Sequence, residues 1–127
     1  MLPVTNLTEV ATYATRFEGV APINFKKPGM LQKQVIEGNI SVTKFCKLGL
    51  LFFVCFWHIS DDNGLWVNAA MSYSNNDVDA AFRSVDMLAR SKNVDYIRFL
   101  TIRKGLAKVA LQKGYKAESV LLTKVIS

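Results

Sequence analysis

The sequence predicts an α/β domain with a mixed, twisted sheet and helices on both faces. Three observations lead to this fold class. The apolar residues change from a helical spacing to a strand spacing at Ile40. Two apolar runs then flank Asn63-Gly64, a pair that favours a tight hairpin. A helical segment at 75–91 separates this hairpin from another strand-like segment, which is the arrangement of a crossover to a parallel strand.

The length and composition indicate one domain over residues 1–127. The chain has 127 residues and half of them are hydrophobic, which is enough to bury a core. We divide it into an N-terminal helical part, 1–38, and a sheet core, 40–126. No internal repeat or linker interrupts the sequence.

Two helices are predicted in the N-terminal part. The first covers residues 6–17 on an apolar stripe, and Asn6 with Glu9 resembles a capping box. The second begins at Pro28 and continues to about Ile36, with Gly38 as its C-terminal stop.

The sheet core begins with three strands. Ile40–Lys47 is predicted as an outer strand and Leu50–Ile59 as an inner one. The intervening Lys47-Leu48-Gly49 forms a turn, or else the two strands are one long bent strand. Ser60–Gly64 is a hairpin turn, in which Asn-Gly supplies positive backbone angles, and Leu65–Tyr73 is the returning strand. Trp57 and Trp66 then pair across the hairpin.

A helix at 75–91 follows, with an apolar stripe, cap candidates at Ser74, Asn75 and Asn76, and Asn93 closing its end. Tyr96–Ile102 is predicted as a strand and Lys104–Lys113 as a helix, with Gly114 at its left-handed cap. Ser119–Ile126 is predicted as a closing strand. A second interpretation joins residues 94–102 to the preceding helix.

The charge is basic but scattered. Lys and Arg outnumber Asp and Glu by 16 to 10, for a formal net charge of +6. An acidic partner is compatible with this excess, whether nucleic acid, a phosphorylated cofactor or an acidic protein, and so is a merely basic surface. Tyr96 and Arg98 share one strand face, which is a weak signal for nucleic-acid stacking.

The cysteines and apolar segments indicate a protein that is not secreted. Cys46 and Cys55 lack the spacing of a zinc site, so we expect no metal and two free thiols. The N-terminus does not resemble a signal peptide. The longest apolar run, 48–57, is too short to span a bilayer as a helix. We expect a cytoplasmic protein or one within a viral particle.

The element order and the ending Leu111-Gln112-Lys113-Gly114-Tyr115-Lys116 resemble the acyl-CoA N-acyltransferases of the GNAT superfamily. In that family the last helix ends in Gly followed by Phe or Tyr, and a closing strand follows. The resemblance covers roughly residues 40–126 and implies a V-shaped splay between two parallel strands, Leu65–Tyr73 and Tyr96–Ile102, where acetyl-CoA enters.

The resemblance also implies which residues contact acetyl-CoA. The backbone of Asn68, Ala69 and Ala70 would contact the pantetheine. The pyrophosphate would lie on backbone N–H groups at the following helix N-terminus. The segment at that place contains four candidates: Ser74, Asn75, Asn76 and Asp77.

Three departures from the family pattern count against catalysis. The turn 72–77 contains no glycine, and acids at Asp77 and Asp79 would repel phosphate. Ala110 stands where the family carries a tyrosine that protonates the departing thiolate. Arg103 stands where the family carries an asparagine.

His58 and Tyr96 are the catalytic candidates that remain. A histidine can act as a general base near neutral pH, and a tyrosine hydroxyl can donate a proton. The alternatives are a strand-end histidine with a local partner and a tyrosine that packs on the sheet. Asp61 and Asp62 could bind a substrate amine, although such residues commonly occupy hairpin turns.

Two functional hypotheses follow. The favoured one is a catalytically degenerate GNAT-like protein without a cofactor, which acts through protein–protein binding. Its compact length and the segment 96–100 are similar to small GNAT-like phage proteins, including internal components of the virion. The alternative is an active N-acetyltransferase that transfers the acetyl group of acetyl-CoA to an amine.

Overall fold

A computed structural model describes residues 1–18, 29–73, 78–99 and 104–116. Within these ranges the elements in chain order are β1 (Leu2–Pro3), α1 (Leu7–Glu18), α2 (Met30–Ile36), β2 (Ser41–Lys47), β3 (Leu50–Ile59), β4 (Gly64–Ser72), α3 (Val78–Ser91), β5 (Tyr96–Phe99) and α4 (Lys104–Gln112). No helix in the described part of the chain is long and apolar enough to cross a membrane.

The strands form a mixed sheet in the order β1-β2-β3-β4-β5. The pairs β1–β2, β2–β3 and β3–β4 are antiparallel, and β5 pairs parallel to β4. The predicted crossover through α3 is therefore confirmed, and the interpretation that joined residues 94–102 to α3 is wrong. The prediction that β2 is an outer strand is wrong, because β1 pairs with its outer edge. The sequence did not indicate β1, because two residues, one of them Pro3, are too few to show the alternation of a strand.

Helices cover both faces of the sheet, as predicted. On one face, α1 and α2 pack on a buried cluster that includes Val10, Leu31, Val54 and Phe56. On the other face, α3 packs on a cluster that includes Phe53, Trp57, Leu65 and Leu88. Residues on β3 alternate between the two clusters because successive side chains of a strand point to opposite faces. This alternation explains why the apolar run of β3 is continuous.

The two tryptophans do not pair across the hairpin. Trp57 is opposite Val67 and Trp66 is opposite His58. Trp57 is buried on the α3 face, where its Nε1–H donates to Thr43 Oγ1 at 2.9 Å, whereas Trp66 is half-buried on the other face. The predicted pairing is wrong because a register difference of one residue exchanges the two faces of a strand.

The predicted turn Lys47-Leu48-Gly49 is confirmed and the long bent strand is excluded, since Lys47 pairs with Leu50 across Leu48-Gly49. In the β3–β4 turn, the predicted positive backbone angle is present at Asn63, with a φ of 62°, but not at Gly64. Gly64 is required for a different reason. A Cβ atom on Gly64 would overlap the ring of Tyr96, which lies directly against the glycine backbone.

The helix ends follow the sequence signals where the structure describes them. Gly38 and Gly114 follow α2 and α4 with φ values of 80° and 93°, and Asn93 follows α3 with a φ of 54°. α2 begins at Met30 after Gly29. Several predictions fall outside the described residues: the start at Pro28, the caps Ser74, Asn75 and Asn76, and the closing strand Ser119–Ile126.

Asn6 caps α1, but Glu9 does not complete the predicted capping box. The Asn6 side-chain oxygen accepts hydrogen bonds from the backbone N–H groups of Thr8 and Glu9 at 2.9 and 3.1 Å. The Glu9 carboxylate instead accepts from Lys44 Nζ at 2.8 Å and from the Tyr13 hydroxyl at 2.6 Å. Glu9 therefore connects α1 to β2 through Lys44. The hydrogen bond from Lys44, and next that from Tyr13, holds the pKa of Glu9 below its ordinary value.

This lowered pKa predicts an acid-dependent loss of stability. A carboxyl whose pKa is depressed in the folded state contributes stability at neutral pH, and the contribution is lost as the pH falls through the folded pKa. We expect Glu9→Gln to lower the denaturation midpoint at pH 7, and we expect the difference from the unsubstituted protein to disappear as the pH falls below the lowered pKa of Glu9. Urea denaturation across pH measures the difference. Glu37→Gln is the control, since Glu37 forms a long, exposed pair with Lys33 at 3.8 Å. A pH-independent deficit in Glu9→Gln would contradict the assignment.

Candidate functional site

In the described residues, β5 pairs with the first part of β4. The parallel register joins Gly64–Val67 to Tyr96–Phe99, whereas β4 continues to Ser72 on its β3 side. Within the described residues, the segment 68–72 therefore has β3 as its one strand neighbour. This is the part of β4 that was predicted to contact pantetheine.

A bulge lies on β4 beside the last described pair of the parallel register, Val67 with Phe99. Phe56 is opposite Ala69 and Trp57 is opposite Val67, so Asn68 is the extra residue on β4. A bulge changes the direction of side chains and bends the strand. Ala69 is buried and Ala70 is exposed, and both have small side chains.

The bulge brings His58 and Asn68 together. His58 Nδ1 lies 2.8 Å from Asn68 Oδ1. Because an amide oxygen only accepts hydrogen bonds, this contact places the proton of a neutral imidazole on Nδ1 and leaves Nε2 with a lone pair. The imidazole lies parallel to the Trp66 indole, with ring centroids 6.3 Å apart. Sequence reasoning had selected His58 and Asn68 for separate roles, and their catalytic and cofactor roles stay predictions.

Tyr96 lies at the other end of the β4–β5 pairing. It is opposite Gly64, about 13 Å along β4 from Asn68, and β4 separates its strand from that of His58. Its hydroxyl is 3.2 Å from Ser60 Oγ and accepts from Arg98 Nη1 at 3.2 Å. The Arg98 guanidinium also lies over the Tyr96 ring and pairs with Asp62 at 3.5 Å. The structure does not bring Tyr96 to His58, and nucleic-acid stacking on Tyr96 stays a prediction.

The predicted pyrophosphate residues Ser74, Asn75, Asn76 and Asp77 lie outside the described residues. Beside them, the Tyr73 ring makes an edge contact with Tyr13 and lies under the Arg16 guanidinium, 4.2 Å from Cζ to the ring centroid. Burial raises the pKa of Tyr73. This aromatic and basic cluster joins α1 to the end of β4, a contact that sequence reasoning missed.

Asp79, in the first turn of α3, is paired with a residue after α4. Lys113 Nζ lies 2.6 Å from Asp79 Oδ1, and this hydrogen bond lowers the pKa of Asp79. The pair reduces the repulsion that Asp79 was predicted to exert on a phosphate. Its two residues are 34 positions apart, and no local pattern indicates their contact.

The position of the family's proton donor is an alanine inside the fold. Ala110 is 5% exposed. Five residues later, the Tyr115 ring packs edge-on against Phe82 of α3 and Phe99 of β5, at centroid distances of 5.6 and 5.3 Å. Burial, followed by the nearby Asp86 and Cys55, raises the pKa of Tyr115 to about 12. These three rings hold α3, β5 and the end of α4 together.

In the described part of the chain, no three His, Cys, Asp or Glu residues are grouped closely enough to bind a metal ion. The two cysteines there are free thiols.

The sequence matches no family profile and no curated protein. Solved structures share the fold. A probable acetyltransferase superimposes with a TM-score of 0.64 at 12% identity, over 99% of this chain and 95% of the other. A Trypanosoma brucei acetyltransferase gives 0.62 at 10% identity, over 97% and 96%. A predicted acetyltransferase from Clostridium acetobutylicum, crystallised with acetyl-CoA, gives 0.55 at 11% identity, over 94% and 87%. This chain therefore has the fold of the GNAT acetyltransferases, as its element order predicted.

Proposed function

We propose that this chain binds acetyl-CoA along β4 and transfers the acetyl group to an amine, with His58 as the general base. The observation that carries the proposal is the His58–Asn68 contact, on the residue of β4 that follows the described part of its pairing with β5. A general base is useful only beside the reacting atoms, and the family places the acyl group between these strands. The structural neighbours, which are acetyltransferases, support the use of acetyl-CoA.

The residues present are compatible with such a ligand. The backbone of Asn68, Ala69 and Ala70 belongs to the part of β4 beyond the described parallel pairing, where it would hold the pantetheine. Acetyl-CoA would supply the activated acetyl group: the amine would form the new amide bond as the thioester C–S bond breaks and CoA leaves. His58 Nε2 would accept the proton that the amine loses, while the hydrogen bond to Asn68 keeps the other ring nitrogen protonated.

The second candidate is the catalytically degenerate protein that acts through protein–protein binding, for instance within a phage particle. Buried Ala110, which cannot protonate a leaving thiolate, favours it. The absence of glycine from the sequence of residues 72–77 supports it further. In this case the fold would remain while the acetyl-CoA site is lost.

Calorimetric titration with acetyl-CoA at low salt separates the two proposals. We expect binding in the micromolar range, and we expect Asn76→Glu to abolish it because the added carboxylate would repel the pyrophosphate. Ser91→Glu is the control, since it adds the same charge at the opposite end of α3. No heat up to millimolar acetyl-CoA would reject the acyltransferase and leave the binding protein.

A further inference from the structure

The turn between β2 and β3 exposes two leucines. Leu48 is 93% exposed and Leu50 is 73% exposed, the highest values among the large hydrophobic residues in the described ranges. Lys47 beside them is also exposed. We call residues 47–50 the hairpin tip. The leucine side chains at the tip contribute little to the core of the fold, since they remain in water after folding.

The backbone conformation of the tip does not favour leucine. Leu48 and Gly49 have φ values of 53° and 77°, the pair of positive angles found in a type I′ turn, which favours Asn-Gly. Three non-glycine residues in the described ranges have a positive φ, and the other two are Asn63 and Asn93. Leu48 therefore occupies a position that suits asparagine, and neither local conformation nor packing explains its side chain.

The charges distinguish the two ends of the sheet. The tip end carries Lys47 and, over the Tyr73 ring, the exposed Arg16. Tyr73 adjoins this end because its N–H donates to the Phe52 carbonyl at 2.8 Å. At the opposite end of β3, about 30 Å away, the two turns carry the exposed acids Asp61, Asp62 and Asp95. Asp62 is paired with Arg98 there, and the exposed base Lys92 lies in the second turn. A negatively charged surface would therefore attract the tip end, with Lys47 and Arg16, more strongly than the other end, where acids offset the bases.

The small size of the hairpin tip favours a membrane over a protein as its binding partner. Specific protein–protein complexes bury about 1,200–2,000 Å², and a two-residue turn supplies only a small part of that area. A lipid bilayer needs no matching pocket, because its interface accepts single apolar side chains while anionic headgroups attract the flanking bases. We propose that the hairpin tip inserts Leu48 and Leu50 into the surface of an anionic membrane, with Lys47 and Arg16 at the headgroups.

Vesicle co-sedimentation of the full chain tests this proposal. The probes are vesicles of phosphatidylcholine alone and vesicles that also contain phosphatidylserine. We expect binding to the anionic vesicles, weakened by salt, and little binding to the neutral ones. Leu48→Asn should weaken binding about tenfold or more by removing an inserted side chain. The same substitution should raise the thermal midpoint, since asparagine suits the positive φ.

Weaker vesicle binding together with a higher thermal midpoint would show that Leu48→Asn loses binding without losing its fold. Met87→Gln is the matched control, because it removes an exposed apolar side chain from α3, away from the tip, and should bind as the unsubstituted protein does. No binding to anionic vesicles, or unchanged binding by Leu48→Asn, would overturn the proposal. So would a dimer that Leu48→Asn dissociates, since the tip would then join two copies of this chain. Vesicle binding requires no acetyl transfer, so its result is independent of the proposed enzyme activity.

Discussion

Replacing His58 with glutamine is expected to slow acetyl transfer by about 10²-fold or more, which is the usual contribution of a general base. Glutamine has an amide group that can still donate a hydrogen bond to Asn68, but it cannot accept a proton near neutral pH. The dissociation constant of acetyl-CoA should not change, because the proposed cofactor contacts use the β4 backbone. The rate would be followed as release of free CoA, with spermidine, poly-lysine and a peptide with a free N-terminus as acceptors.

Two further variants separate the roles of the neighbouring residues. Asn68→Ala should reduce the rate less than His58→Gln does, because it removes the group that orients the imidazole but keeps the base. Tyr96→Phe should leave the rate within about twofold, since Tyr96 is about 13 Å along β4 from the bulge. If the rate fell strongly in Tyr96→Phe and only slightly in His58→Gln, Tyr96 and not His58 would be the residue that transfers the proton.

Replacing Phe56 with alanine is expected to lower the free energy of unfolding by about 3–5 kcal/mol. Phe56 is 2% exposed and lies at the centre of the sheet, opposite Val42 on β2 and Ala69 on β4. Its ring packs in the cluster beneath α1 and α2, and its removal would leave a cavity in that layer. A domain of this kind has a stability of about 5–15 kcal/mol, so the loss would be a large fraction of the total.

Urea denaturation followed by tryptophan fluorescence measures this loss. Leu50→Ala is the control on the same strand, since an exposed leucine should change stability by less than about 0.5 kcal/mol. Cys55 gives a second measurement because burial raises its thiol pKa to about 12, so it should react with thiol reagents only when the fold opens. Equal midpoints for Phe56→Ala and Leu50→Ala would show that the core is not centred on this strand.

The candidate site was only partly predictable. The sequence identified His58 as the single histidine, and the family resemblance identified Asn68, but their contact depends on a bulge. The bulge has no local signal, because nothing in the order of residues on β4 shows which of them lacks a partner on β3. Tyr96 was selected for its chemistry alone, and its distance from the bulge follows from the parallel register with Gly64.

The features that depend on neighbouring residues were predictable from the sequence. The helices α1, α3 and α4, the strands β2 to β5 and the left-handed positions at Gly38, Asn93 and Gly114 all follow from local periodicity and backbone preference. Their order was sufficient to indicate the fold, because few chain paths satisfy the rules for connecting a hairpin, a crossover helix and a parallel strand.

The contacts between residues that are distant in the chain are visible only in the tertiary structure. The pairing of β1 with β2, the Glu9–Lys44 and Asp79–Lys113 pairs, and the separation of Trp57 and Trp66 onto opposite faces belong to this group. Each depends on strand register or on how a helix lies against the sheet, and a shift of one residue in register exchanges the two faces of a strand. Local sequence patterns do not determine register; the packing of both faces against their helices does.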